Sequence, residues 1–367
     1  MSARSADTTR ANSESSRRKP DLARIALDAM GGDFAPKATI AGALLALLEL
    51  EPMHKVQLVG QTSVIEAELD RALAGELSQA ASARSRLEIV EAPDVIEMSE
   101  KPTAGIRKKP NSSMIVGLKL QVDGYSDAFV SAGNTGAQMA SSAMLLKLQP
   151  GLTRPAIATV FPTAGKPVIV LDSGANVDCS TRELLQFAWL GAVYAECVFG
   201  RPNPSIGLLS IGEEPEKGNA VVKEAHVLFQ KAGFNFHGNL EGRDLPVGAS
   251  DRGPFDVVIC DGFVGNVVLK FYEAVAPMIV RVLSEHPGIN ANHVKEALRG
   301  FDSTAYGGAP LLGVRGVSII CHGNSPPRAI KNAIKVAVRA VETRMNEQIG
   351  KKLEAAEPAI TAAAASA

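Results

Sequence analysis

Hydrophobic positions along this chain fall into two alternating patterns. Short, nearly continuous apolar runs at residues 24–29 (RIALDA), 56–60, 87–93, 127–133, 167–174, 205–212, 234–240, 255–262 and 317–323 predict β-strands. Runs without polar alternation belong to strands covered on both faces, as in a parallel sheet flanked by helices. Between them lie segments of helical spacing. The clearest begins at Pro327, where Ile330, Ala333, Ile334, Ala337, Val338, Val341 and Met345 follow the i, i+3, i+4, i+7 pattern behind Pro326. Strands alternating with helices predict an α/β fold, a doubly wound and mostly parallel sheet with helices on both faces.

No internal repeat and no Pro/Gly/Ser-rich linker divides this pattern, so residues 22–349 read as a single α/β domain. Residues 1–21 are polar and read as a disordered tail without the apolar segment of a secretory signal. Residues 350–367 are alanine-rich and read as a low-complexity tail, the frayed end of a helix. The stretch 283–303 carries no strand signal and reads as a helical insertion.

Composition narrows the function classes. The chain has 367 residues, 46% hydrophobic and 21% charged, with a formal net charge of −1. That balance gives no electrostatic case for nucleic acid as a partner. The cysteines Cys179, Cys197, Cys260 and Cys321 form no CxxC pair and have no zinc-finger spacing to histidine, which points to a reducing compartment. No apolar run reaches the ~18 residues of a membrane span.

The chemistry gathers at the strand ends. Six runs finish in small polar loops: Asp28 to Asp33, Ser131 to Gly136, Asp172 to Asn176, Gly212 to Asn219, Asp261 to Asn266, and His322 to Ser325. In a parallel sheet these ends share one edge, and ligands bind in the crevice along it. Gly31, Gly32, Gly133 and Gly136 permit close backbone approach. Gly133-Asn134-Thr135-Gly136 leads into a helix, whose N-terminus suits a phosphate, although the same residues also make an ordinary tight turn. The carboxylates Asp28, Asp33, Asp172, Glu213, Glu214 and Asp261 need partners such as Lys217, Arg182 or Arg243, or cap helices. A metal cluster is the alternative reading, but no ligand spacing appears. His322 reads either as structural or as functional. The absence of a GxGxxG turn and of a Walker A sequence argues against NAD and ATP.

In order along the chain, Leu27-Asp28-Ala29-Met30-Gly31-Gly32-Asp33, Asn111-Ser112-Ser113-Met114, Ser131-Ala132-Gly133-Asn134-Thr135-Gly136, Leu171-Asp172-Ser173-Gly174-Ala175-Asn176, Gly212-Glu213-Glu214 with Lys217-Gly218-Asn219, Cys260-Asp261-Gly262-Phe263 with Gly265-Asn266, Tyr306-Gly307-Gly308-Ala309-Pro310 and His322-Gly323 resemble the phosphate acyltransferase family of bacterial phospholipid synthesis. The resemblance spans about Ile25 to Ala340. It departs at Ser99, at Asn324 and in the N-terminal extension. It implies a fold similar to phosphotransacetylases and isocitrate-type dehydrogenases. It implies transfer of a long-chain acyl group from acyl carrier protein to inorganic phosphate, with no metal and no nicotinamide cofactor.

On that resemblance, Lys217 and Asn266 are the catalytic candidates, pairing with phosphate or donating to the developing oxyanion. The candidates for phosphate and substrate binding are Asp28, Gly31, Gly32, Ser131, Gly133, Asn134, Thr135, Gly136, Asp172, Asn176, Glu213, Asn219, Asp261 and His322. The basic run Arg107-Lys108-Lys109 is either a docking site for the acidic carrier protein or an ordinary solvated face. The resemblance also implies a cytoplasmic homodimer, peripheral association with the membrane, and a downstream glycerol-3-phosphate acyltransferase. A phosphotransacetylase acting on acyl-CoA and a non-catalytic scaffold binding acyl carrier protein are the rival readings.

Overall fold

The structure is a computed structural model that describes residues 22–286, 293, 296 and 303–365. The expected N-terminal tail and most of the expected helical insertion lie outside the described residues.

The first half of the chain contains β1 (Arg24–Asp28), α1 (Lys37–Glu49), β2 (Lys55–Gly60), α2 (Thr62–Ala74), β3 (Leu87–Glu91), α3 (Pro102–Lys108), α4 (Ser113–Val122), β4 (Ala128–Ser131) and α5 (Thr135–Leu146). Two short strands follow, β5 (Ala156–Ile157) and β6 (Thr159–Phe161). Next come β7 (Val168–Leu171), α6 (Thr181–Phe199), β8 (Ile206–Leu209), α7 (Ala220–Lys231) and β9 (Phe236–Leu240). A small hairpin, β10 (Ala249–Ser250) and β11 (Gly253–Pro254), precedes β12 (Val257–Ile259) and α8 (Gly262–Ser284). The chain closes with β13 (Ala309–Leu312), β14 (Val317–Ile320), α9 (Pro327–Glu342) and α10 (Met345–Ala365).

Each predicted strand is present, but they divide between two sheets. One sheet has the order β3-β2-β1-β4-β14-β13-β5, and the other β6-β7-β12-β8-β9. The central strands of both are parallel, as their continuous apolar runs require. The antiparallel strands sit where the sheets meet: β13 pairs with β14 and β5, and β6 pairs with β7. The segment from Ala156 to Phe161 therefore belongs to one sheet at its start and to the other at its end. The short strands β5, β6, β10, β11 and β13 lie outside the predicted runs.

One buried cluster is continuous across both sheets. It includes Leu27 and Leu44 on one side, Leu171, Phe187 and Ile206 on the other, and Ile330 of α9. Close approach of α1 to α9 depends on Gly42, where a Cβ would lie 2.5 Å from the Cβ of Ile330. Helix α6 starts with a capping box, Ser180 accepting from the Glu183 amide and Glu183 from the Ser180 amide, and ends at Gly200 with φ 63°.

The alanine-rich C-terminus differs from the expected tail. Residues through Ala365 are helical, and Met345, Ile349, Leu353 and Ala356 are buried where α10 packs on α6. Their spacing places them on one helix face, a period that the alanines around them hide.

Candidate active site

The carboxyl ends of β4, β7 and β14 and the first turns of α8 surround a cleft of about 590 Å³ between the two sheets. Thr135, Ser173, Gly174, Asn266 and His322 line it, as the strand-end argument anticipates. The glycine turn after β1 and the loop after β8 do not.

The turn after β1 is held from within the protein. Asp28 is buried, and its carboxylate accepts from Ser131 Oγ at 2.7 Å and from the Met30 amide at 3.1 Å. Ser131 Oγ in turn accepts from the Gly133 amide at 2.9 Å. Burial pushes the Asp28 carboxyl above its usual range despite hydrogen bonds from Ser113, Ser131 and the backbone of Met30 and Gly31. Gly31 has no room for a side chain, since a Cβ would meet Asp28 Oδ2 at 2.5 Å and the Gly133 amide nitrogen at 2.8 Å. Gly32 has φ 104°, and a Cβ there would lie 2.9 Å from the Gly323 carbonyl. The two glycines thus let the loops after β1, β4 and β14 pack on one another. Asp28, Gly31, Gly32, Ser131 and Gly133 hold these loops together and are not part of the cleft lining.

The second sheet repeats the device. Asp172, fully buried, accepts from the amides of Ile157 at 3.0 Å, Ala175 at 3.1 Å and Asn176 at 2.7 Å, and from Asn176 Nδ2 at 2.9 Å. Burial raises its carboxyl too, against those hydrogen bonds. Asn176 Nδ2 also donates to the Pro155 carbonyl at 2.8 Å. Gly262 and Gly265 bring α8 against this loop: a Cβ on Gly262 would lie 2.5 Å from the Asn176 carbonyl, and one on Gly265 would overlap the Asp172 carbonyl. Asp172 and Asn176 fix the β7 loop and the seat of α8, and they too are not part of the cleft lining.

Three more candidates cap helices. Asn134 Oδ1 accepts from the Ala137 amide at 3.0 Å, while its Nδ2 donates to the carbonyls of Glu97, Met98 and Glu100. Asp261 accepts from the Val264 amide at 2.8 Å and Asn219 from the Val222 amide at 2.9 Å. An Asn or Asp so placed satisfies an orphan amide of the first turn. Gly136 lies against Pro102, where a Cβ would come within 2.7 Å. Thr135 is therefore the residue of the Gly133–Gly136 loop that reaches the cleft.

Lys217 is exposed on the loop before α7 and is not part of the cleft lining. Glu213 in the same loop faces Arg243 at 3.7 Å, and Arg243 also pairs with Glu241 at 2.6 Å. Arg107 and Lys108 are exposed, whereas Lys109 is committed to Glu100 and to the Val95 carbonyl.

Sequence reasoning missed Lys270 and Glu273. With Asn266 they follow i, i+4, i+7 along α8, a polar line in an otherwise apolar helix, and that spacing was a legible signal. His322 Nε2 lies 2.8 Å from Glu273 Oε1, and Lys270 Nζ lies 2.9 Å from Glu273 Oε2. Burial opposes ionisation of Glu273, but hydrogen bonds and charge from His322 and Lys270 outweigh it and lower its carboxyl to about 2. Thr159 Oγ1, buried in the wall of the cleft, has no hydrogen-bond partner in the protein. Cys321 also lines the cleft, but burial lifts its thiol to about 12, which removes it as a nucleophile near neutral pH. Among the described residues, no group of three or more His, Cys, Asp or Glu side chains could hold a metal ion.

The site thus offers hydroxyls, an amide, a cation and an imidazole in one cleft. Ile157, Val160, Leu269 and Ile320 add apolar wall. That combination suits a reaction between a small anion and a substrate with an apolar chain.

Comparison with known proteins agrees. Residues 23–348 match the family model described as fatty acid synthesis protein. A phosphate acyltransferase of Desulforamulus reducens is 47% identical over 342 residues, covering 91% of this chain and 98% of that protein. A phosphate acyltransferase of Heliobacterium modesticaldum is 47% identical over 329 residues, covering 87% and 94%. Among solved structures, the EutD phosphotransacetylase from Staphylococcus aureus superposes with a TM-score of 0.57 at 15% identity, covering 88% of this chain and 95% of that one. A phosphotransacetylase from Streptococcus pyogenes gives 0.57 at 16% identity, covering 87% and 94%. Identities this low establish the shared fold alone.

Proposed function

The chain belongs to the fatty acid synthesis protein family and is an acyltransferase of the phosphate acyltransferase kind, and we propose that its donor is a long-chain acyl thioester of acyl carrier protein, its acceptor inorganic phosphate and its product an acyl phosphate for phospholipid synthesis. The observation that carries this reading is that Asn266, Lys270 and His322 line one cleft together with the apolar Ile157, Val160, Leu269 and Ile320.

Phosphate is itself the nucleophile, so the protein's task is to aim it at the thioester carbonyl and to stabilise the charge that develops there. Lys270 supplies positive charge, and Thr135 and Ser173 supply hydroxyls beside it. Asn266, on the second turn of α8 and facing Gly174, is placed to donate to the carbonyl oxygen. Exposed Arg107 and Lys108 remain the proposed contact for the acidic carrier protein.

We further propose a cytoplasmic homodimer that associates peripherally with a membrane; the exposed apolar side of α8 supports the contact with a second copy and a membrane surface. Phe263, Val267, Phe271, Met278 and Val282 are exposed there. Among the described residues, α8 is the one helix long and apolar enough to cross a membrane by length and composition, with 6% of its apolar window buried. We read that face as covered by a second copy and by the membrane surface, near the glycerol-3-phosphate acyltransferase that would consume the product.

The test is phosphate-dependent release of free thiol from palmitoyl-acyl carrier protein, with palmitoyl-CoA run in parallel and no metal added. Turnover of the carrier-protein thioester that requires phosphate supports the reading. Turnover of the CoA thioester alone moves the protein to the phosphotransacetylases. Binding of the carrier protein without turnover of either thioester favours the scaffold.

A further inference from the structure

Thioester cleavage by phosphate leaves a proton to be moved. Hydrogen phosphate loses one as its oxygen bonds to carbon, and the departing sulfur needs one, because an ordinary thiol has a pKa of about 8.5 and leaves poorly as a thiolate at neutral pH. The cleft holds few groups able to carry it. Burial keeps the Cys321 thiol protonated, and it also raises the Tyr306 phenol. Lys270 is engaged as a cation by Glu273. His322 remains.

We propose that His322 is the proton carrier of this reaction, with Glu273 as the positioning residue that fixes its tautomer and Lys270 as the group that keeps Glu273 in place. The inference rests on the acyl transfer to phosphate set out above. Its geometry comes from two elements on opposite walls: His322 from the loop after β14, and Glu273 from α8.

Glu273 is ionised, so it only accepts, and His322 Nε2 carries the hydrogen that bridges their 2.8 Å separation. Nδ1 is then the nitrogen with a lone pair. In the forward step a phosphate oxygen bonds to the thioester carbon, the phosphate hydroxyl proton moves to Nδ1, and the imidazolium that forms lies against the Glu273 carboxylate. The carbon–sulfur bond then breaks, and the Nδ1 proton passes to sulfur. The products are the acyl phosphate and a neutral thiol, and the ring returns to its starting state. Lys270, 2.9 Å from the second Glu273 oxygen, restrains the carboxylate from turning away when the ring is neutral.

The experiment compares His322→Gln and Glu273→Gln with the wild type on two thioesters of one acyl chain, phosphate being the acceptor in each case. One is the acyl carrier protein thioester, whose alkyl thiol needs a proton to leave. The other is an S-aryl thioester, whose acidic thiol does not. His322→Gln should lower kcat on the carrier-protein thioester by ~10²–10⁴-fold, the usual span for general acid–base catalysis. The part of that loss owed to protonating sulfur should disappear on the aryl thioester, while the part owed to taking the phosphate proton stays. Glu273→Gln should show a smaller loss with the same recovery. A structural role would lower both substrates alike, so equal losses overturn the proposal, as does a His322→Gln variant with wild-type kcat on the alkyl thioester. If the wild type cleaves only a CoA thioester, the carrier-protein reading fails, and the same comparison run on CoA still decides the role of His322.

Discussion

His322 and Glu273 are 49 residues apart in sequence and 2.8 Å apart in space, and their contact joins the two walls of the cleft. One comes from the seven-stranded sheet and the other from the helix that follows the five-stranded sheet. A hydrogen bond in that position both orders the ring and ties the halves of the site together.

The pair makes a pH prediction. The Glu273 carboxyl is lowered in the folded protein to about 2, whereas an unfolded Glu titrates near ~4.3. A depressed acid contributes stability above its unfolded pKa and loses it as pH falls through the folded one. Glu273→Gln should therefore melt below the wild type at pH 6, with the gap narrowing as pH falls below about 4.3. Thermal unfolding followed between pH 3 and pH 7 measures it; a gap that widens on acidification would contradict the assignment.

Loss of a group that meets the reacting atoms should appear in kcat. Asn266→Ala is expected to cost ~10²–10³-fold, as for other lost oxyanion donors. Lys270→Met should cost more than Lys217→Met, since Lys270 lines the cleft and Lys217 does not. Steady-state kinetics on the three variants, with circular dichroism to confirm folding, rank them. A larger loss for Lys217→Met would return the exposed loop before α7 to the mechanism.

Gly31→Ala tests the floor of the site. The added Cβ meets Asp28 Oδ2 and backbone of the β4 loop, neither of which is the end of a flexible chain. Overpacking of this kind costs about 1–3 kcal/mol. Denaturant unfolding should show a loss in that range, and an unchanged midpoint would mean that the loops after β1 and β4 part more readily than their hydrogen bonds suggest.

Asp172→Asn keeps the volume and replaces one acceptor oxygen with a donor. Four hydrogen bonds now converge on the carboxylate, from Ile157, Ala175 and twice from Asn176. An amide there faces at least one of those donors with its own. Hydrogen bonds to charged groups are worth about 1.5–3 kcal/mol each, so a loss of that order is expected in chemical unfolding. Activity should fall as well, because the same loop seats α8 and with it Asn266.

The strands and the candidate loops were legible in sequence because burial on both faces writes an uninterrupted apolar run, and because turns at strand ends draw on Gly, Asn and Asp. Thr135, Asn266 and His322 were read from such loops, and they line the cleft. The line Asn266, Lys270, Glu273 was also written in the helical period of α8, but a Lys and a Glu on an exposed helix read as ordinary solvated charge until something faces them.

Local sequence thus determined the alternation of strands and helices, the polar character of the strand ends and the family. Tertiary structure decided which polar residues line the cleft and which hold the protein together. Asp28 and Asp172 look in sequence like acids at a site, and only the fold shows each surrounded by its own hydrogen-bond donors. The division into two sheets belongs with these. It depends on how the few residues from Ala156 to Phe161 pair, their start with the distant β13 and their end with the next strand β7, and a switch of that kind leaves no periodicity behind. It is also what turns a row of strand ends into a cleft with two walls, across which His322 can reach Glu273.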